Sequence, residues 1–233
     1  MSCFEADGVE VVALFARDQV LDARADIDDH IDRMVAALHI PVDECAPEVA
    51  VARRLDAIAA RHRSYADLLR RAVCTDAHRG ARLSALADAP KLLATAERLA
   101  GVPLTGSIAR VRASIASFPE HRHPWHSDVA TPDETGCGRV RTAAWIPLCD
   151  VGGSGGLEIL RGRRSGLIPH LRSNGLHIED ASIPSPDIIA PACPAGSVIF
   201  LDRFTPHRTR PVVGDARFAL VVWFNTAAAQ QSI

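Results

Sequence analysis

Two histidines and an aspartate carry the first chemical signal in this chain. His126 and Asp128 stand two residues apart in HPWHSD, beside Trp125, and His207 lies far along the chain at the end of GSVIFLDRFTPH. In an extended segment, residues two apart point the same way, so His126 and Asp128 both reach one cation while Ser127 turns aside. That pair alone underbinds a cation, and His207 is the candidate third ligand. Two imidazoles and one carboxylate on one face of an ion leave its other positions open, the arrangement suited to non-haem Fe(II) and oxygen chemistry. The same donors also suit zinc with an open position, so a zinc hydrolase is an alternative, as is a barrel that binds a metal or small molecule without turnover. His121 and His123 read as residues of the same polar loop.

A second group lies close by in sequence. Arg217 opens RFALVVWF, a segment otherwise apolar, where a charge is costly without a partner. With a loop from Pro211 to Asp215, Thr209 is expected opposite Arg217 across a hairpin, on the face that carries His207. A hydroxyl and a guanidinium there make a receptor for a carboxylate, which arginine binds through a planar fork. A bound dicarboxylate would supply the missing partner. Arg112, on a strand face with Arg110, is a candidate for a second carboxylate, and Trp145, on a face with Arg141, for a wall of the same pocket. A zinc hydrolase gives Thr209 and Arg217 no task.

The elements that must hold these residues fall into two textures. Residues 1–104 read as mainly helical. ARDQVLDARADIDDHIDRMVAAL and EVAVARRLDAIAARHRSYADLLRRAV repeat apolar residues at helical spacing, and APKLLATAERLAG has Pro90 near its start and Gly101 at its end. His30, His39, His62 and His78 there read as surface or packing residues. From 105 to 226 the period becomes two. SIARVRASIASF sets Val111, Ala113 and Ile115 on one face against Arg110, Arg112 and Ser114 on the other, and RVRTAAWIPL, GLEIL and GSVIFLDRF read as further strands. RFALVVWF is apolar on both faces and is expected at the centre of a sheet. Short strands with glycine-rich turns predict a barrel or jelly roll, with the chain as a single unit over 1–233. DVGGSGG reads as a turn: it lacks the Lys-Ser/Thr ending of a phosphate-cradling loop and no helical pattern follows it. Arg161, Arg163 and Arg164 read as a solvated turn.

Composition bounds the partners. A formal net charge of −2 offers no electrostatic case for nucleic acid or an anionic membrane. Lys91 is the one lysine among many arginines and alanines, the usage of a GC-rich bacterial genome, so single arginines carry little weight without position. The 6 cysteines are scattered without a Cys-x-x-Cys pair, which argues against a structural zinc site and fits reduced thiols in a cytoplasm. The opening residues lack a basic n-region, and no apolar run is long enough to span a membrane. Oligomeric state is not legible.

The chain resembles the Fe(II)/2-oxoglutarate-dependent oxygenases, in particular the phytanoyl-CoA dioxygenase-like group. The resemblance rests on HPWHSD, AAWIPLCDVGGSGGLEILRG and PAGSVIFLDRFTPHRTRPVVGDARFAL, and covers roughly residues 107–225. It implies a mainly β chain with N-terminal helices packed on a double-stranded β-helix (a jelly-roll or cupin-like fold). It also implies Fe(II) held by His126, Asp128 and His207, 2-oxoglutarate held by Arg217 and Thr209, O2 as oxidant, and decarboxylation to succinate coupled to substrate oxidation. Ser127 stands where many relatives have glutamine, Arg161-Gly162-Arg163-Arg164 where a Pro-Gly-Ser-His turn is frequent, and the asparagine often found soon after the distal histidine is absent. Asp128 argues against the halogenase variant, which lacks that carboxylate. The substrate is expected to be a small molecule of bacterial specialised metabolism; hydroxylation is the default outcome, and desaturation, cyclisation and epoxidation use the same site.

Overall fold

The computed structural model describes residues 3–41, 45–130, 139–152, 156–172 and 176–226. The segment expected to be central is central. Strand β8 (Arg217–Asn225) runs between β2 (Gly106–Ser114) and β3 (Val140–Pro147), and β6 (Ser197–Asp202) and β1 (Val9–Ala13) follow on the far side of β3. Every pairing in this five-stranded sheet is antiparallel. A smaller antiparallel sheet sets β4 (Leu157–Leu160) between β5 (Ile188–Ile189) and β7 (His207–Thr209). Successive strands β6, β7 and β8 alternate between the two sheets, the winding of a double-stranded β-helix. Leu157 and Ile159 of the smaller sheet pack against Trp145, Ile199, Leu201 and Val221 of the larger, which closes the space between them.

The outer face of the larger sheet is covered by helices. These are α1 (Cys3–Asp7), α2 (Arg17–Asp22), α3 (Ala25–Ala37), α4 (Val51–Arg61), α5 (Arg63–Asp76), α6 (Ala81–Ala87) and α7 (Pro90–Ala100). Ile27, Leu55, Leu69 and Leu83 join Val111, Ile115, Phe218 and Leu220 in one buried apolar cluster. The alternation expected along β2 is therefore real: Val111 and Ile115 turn to the helices and leave Arg112 and Ser114 for the space between the sheets. Among the described residues no helix is long and apolar enough to cross a membrane.

Three expectations are corrected. The helical pattern of residues 16–38 breaks at Ala23–Arg24, and that of 48–73 breaks at His62, whose φ of −142° and ψ of 89° leave the helical region. The helical portion also contributes a strand, because VEVVA in β1 is short and β-branched and pairs with the free edge of β6. Finally, His207 does not end the strand of GSVIFLDRF. β6 stops at Asp202, whose carboxylate accepts the Phe204 N–H at 3.1 Å, and the chain turns there so that His207 begins β7 in the other sheet.

The turn into β6 depends on a close backbone approach. Gly196 has a φ of +98°, its carbonyl accepts the N–H groups of Leu14 and Phe15 at 2.9 and 2.8 Å, and an added Cβ would lie 2.5 Å from the Phe15 carbonyl oxygen. Left-handed backbone is costly for a residue with a Cβ, and the contact adds to that cost. Gly196→Ala should therefore lose about 2 kcal/mol or more in urea unfolding. An unchanged midpoint would show that the β1–β6 edge yields without cost.

Candidate metal centre and its cavity

His126 and His207 are brought together by their own backbones. Each donates its N–H to the other's carbonyl, at 3.0 Å from His126 and 2.9 Å from His207, an isolated antiparallel bridge on the edge of β7 that faces away from β4. His126 is thereby a one-residue extension of the smaller sheet. The two rings lie with centroids 4.4 Å apart. Asp128 arrives differently from the strand alternation expected: it starts a short 3-10 turn (Asp128–Ala130), and Ala130 donates back to the Ser127 carbonyl at 3.0 Å. The turn brings Asp128 Oδ1 to 3.9 Å from Nε2 of both histidines. One ligand atom from each of the three residues lies within 4.8 Å of the other two, the spacing of a site that can take a cation.

The imidazoles are oriented for that role. His126 Nδ1 donates to the Pro124 carbonyl at 2.8 Å, and His207 Nδ1 to the Thr205 carbonyl at 3.1 Å. A carbonyl only accepts, so the proton of each neutral ring is on Nδ1 and both Nε2 lone pairs face Asp128. Burial, together with His207, pushes the pKa of His126 down to about 4, which keeps its ring neutral near pH 7. Ser127 turns away as expected, and its hydroxyl donates to the Phe204 carbonyl at 3.0 Å.

The cluster opens into a solvent-connected cavity between the sheets, lined also by Arg112, Ser114, His123, Trp145, Thr209 and Arg217. Arg217 is buried at 8% exposure and opposite Ser114 in the β2–β8 register; it donates to the Arg210 carbonyl at 3.0 Å and to Ser114 Oγ at 3.4 Å. No carboxylate among the described residues pairs with it, and burial lowers its pKa. Arg112 points into the same space with its guanidinium 5.3 Å from the Trp223 ring and no hydrogen-bond acceptor among the described residues; burial lowers its pKa too, with Asp128 opposing.

Most of the expected residues thus line one space, with differences in how they reach it. Thr209 and Arg217 do not face each other across a hairpin, because β7 pairs with β4 and β8 with β2 and β3. The chain from 210 to 216 crosses between sheets, and the two residues line the same cavity instead. Arg110 leaves the face of Arg112: it approaches His78 Nε2 at 3.4 Å and donates to the Ala109 carbonyl. Arg141 likewise parts from Trp145, since a register shift between Val140 and Thr142 frees it to bond Asp202 at 3.4 Å and the Ala100 carbonyl at 3.0 Å. Arg163 lies 3.7 Å from the buried Asp202, so the arginine turn is partly anchored. His123, read from sequence as a loop residue, lines the cavity, and its pKa is held well below the usual range by burial and by Arg112. Ser114 and Trp223 were also missed; the alternation of β2 carried a signal for the first. Gly153, Ser154 and Gly155 of DVGGSGG lie outside the described residues.

No protein-family model matches the chain, and no curated protein matches it. Solved structures do. The non-heme monooxygenase ThoJ aligns with a TM-score of 0.64 at 17% identity, over 96% of this chain and 76% of ThoJ. EvdO2 from Micromonospora carbonacea var. aurantiaca, solved with 2-oxoglutarate, aligns at 0.61 and 18%, over 99% and 91%. SnoN, a non-heme alpha ketoglutarate dependent epimerase from nogalamycin biosynthesis, aligns at 0.59 and 20%, over 97% and 81%. The chain therefore shares its fold, a double-stranded β-helix backed by N-terminal helices, with non-heme enzymes of this kind.

Proposed function

We propose that the chain is an Fe(II)/2-oxoglutarate-dependent dioxygenase that oxidises a small molecule in bacterial specialised metabolism. The observation that carries this reading is the pairing, in one cavity, of a His-Asp-His cluster with a buried arginine that has no carboxylate partner among the described residues. Structures of the same fold point the same way, since EvdO2 was solved with 2-oxoglutarate and SnoN with Fe3+ and alpha ketoglutarate. The donor set fits the metal: two neutral imidazoles and one carboxylate hold an octahedral cation by one face. Iron(II) held there would supply, with 2-oxoglutarate and O2, oxidative decarboxylation coupled to substrate oxidation.

Each residue of the chain then has a task. His126 and His207 present Nε2, and their Nδ1–H bonds to backbone carbonyls keep the rings from turning. Asp128 supplies the anionic ligand. Arg217 receives the far carboxylate of 2-oxoglutarate, with Thr209 adding a hydroxyl from the opposite sheet. Arg112 offers a second cation, to the chelating end of 2-oxoglutarate or to an acid on the substrate. Trp145 walls the pocket and keeps water from these charges. A zinc hydrolase would leave both arginines idle, since Asp128 is the one carboxylate among the described residues lining the cavity and is itself taken up as a ligand. The helices act with the β core as one unit, because they pack on the sheet that bears Arg217. Free thiols at Cys149 and Cys193 suit a reducing cytoplasm.

Two outcomes test the proposal. Wild-type protein should form succinate only with Fe(II), 2-oxoglutarate and O2, and His126→Ala, Asp128→Ala and His207→Ala should each abolish it in a folded chain; turnover without oxygen would point to a hydrolase. In calorimetry with an inert divalent ion in place of iron, Arg217→Ala should lose about 2–5 kcal/mol of 2-oxoglutarate binding, on the order of 30-fold or more in affinity. Thr209→Val should cost about 1–2 kcal/mol because the charge stays, and Arg217→Lys should recover only part of the loss because it lacks the planar fork. Equal affinities in wild type, Arg217→Ala and Thr209→Val would remove the dicarboxylate receptor.

A further inference from the structure

The turn that carries His126 and Asp128 is supported from outside the strands. His170 lies in the segment between β4 and β5, a region with no chemical signature in the sequence. Its Nδ1 is 2.7 Å from the Ile168 carbonyl oxygen, and its Nε2 is 3.0 Å from the backbone nitrogen of Ser127. A carbonyl only accepts and an amide N–H only donates, so both neighbours demand the same ring state: a proton on Nδ1, and a lone pair on Nε2 receiving the Ser127 N–H.

Ser127 is fully buried, and its other polar groups are occupied. The hydroxyl donates to the Phe204 carbonyl, and the Ser127 carbonyl accepts the Ala130 N–H that closes the 3-10 turn. The N–H is left for His170, and without that acceptor it would be a buried orphan. The acceptor is itself braced. Ile178 donates its N–H to the Trp125 carbonyl at 2.7 Å, Leu171 and His177 form a two-bond bridge, and Trp125, Ile178 and Leu160 pack together with Ile168 against them. The segment therefore grips the ligand-bearing stretch on both sides of His126, at Trp125 and at Ser127.

We infer that His170 is a positioning residue of the metal centre: by accepting the Ser127 N–H it sets the orientation of Asp128 relative to His126. The inference rests on the reading of His126, Asp128 and His207 as metal ligands. Histidine suits the task because its ring is rigid, reaches a backbone amide from a separate segment, and is locked by its own second hydrogen bond. A leucine of similar bulk would fill the space, leave the amide orphaned and let the turn swing.

The test compares wild type, His170→Leu and His170→Gln, whose side-chain oxygen can accept in place of Nε2. In metal-free protein, His170→Leu should speed hydrogen exchange at the Ser127 amide while β3 and β8 keep their protection. Co(II) titration of the same variant should show binding weaker by about 10- to 100-fold, with an altered visible spectrum, as for lost outer-sphere partners of metal sites. His170→Gln should recover most of both. Wild-type Co(II) affinity and spectrum in folded His170→Leu would overturn the positioning role. So would a loss of protection spread evenly through β3 and β8 that glutamine fails to rescue, since that is the mark of packing alone. If wild type binds no Co(II) at the cluster, the metal reading falls and this role with it, an outcome distinct from unchanged binding in the variant.

Discussion

The paired backbones of His126 and His207 set the terms for everything around them. Two residues far apart in sequence form a single antiparallel bridge, and that bridge fixes the separation of two imidazoles before any ligand arrives. A one-residue bridge is weak by itself. It holds because β7 is pinned on its other edge by β4, and because the turn after His126 is tied by Ser127 to Phe204, in the same loop that delivers His207. The preference for Nδ1 protonation follows from nearby carbonyls of the same two segments, so geometry and protonation have one source.

Charge is arranged around that centre in a way a folded chain alone does not require. Arg112 and Arg217 face a cavity that contains one described carboxylate, Asp128, and neither is paired with it. Burying a cation without a partner works against folding. The helices offset that cost, since the face of β2 and β8 opposite the arginines carries Val111, Ile115, Phe218 and Leu220 into a large apolar cluster. The N-terminal half is thus the support that lets the inner face stay polar and open.

Much of the site was legible because its chemistry is dense in sequence. His-x-Asp beside a tryptophan, and an arginine heading an apolar strand, are unusual placements in sequence, although a 3-10 turn and not strand alternation brings Asp128 to the histidines. Arg112 followed from the same alternation, and Arg110, with equal claim, did not: on the edge strand β2 it approaches His78 instead. Arg141 escaped alternation through a bulge that no residue type announces. The Thr209–Arg217 hairpin failed for a topological reason, as β7 and β8 lie in different sheets, and loop length does not reveal that. His123 and His170 were the costliest omissions. His170 reaches Ser127 from a segment distant in sequence, where neither spacing nor composition carries a signal, whereas His123 stands three residues before His126 and lines the cavity from the stretch that reads as a polar loop.

On the proposed function, one cavity holds an iron(II) on His126, Asp128 and His207 and a 2-oxoglutarate anchored by Arg217. Anaerobic titration of the Fe(II)-loaded protein with 2-oxoglutarate tests both halves at once, because chelation of the keto acid to iron gives a weak visible charge-transfer band. The band should saturate at one 2-oxoglutarate per chain in wild type, be absent in Asp128→Ala, and need far more 2-oxoglutarate to appear in Arg217→Ala. A wild-type protein that binds Fe(II) yet develops no band at saturating 2-oxoglutarate would contradict the proposed function.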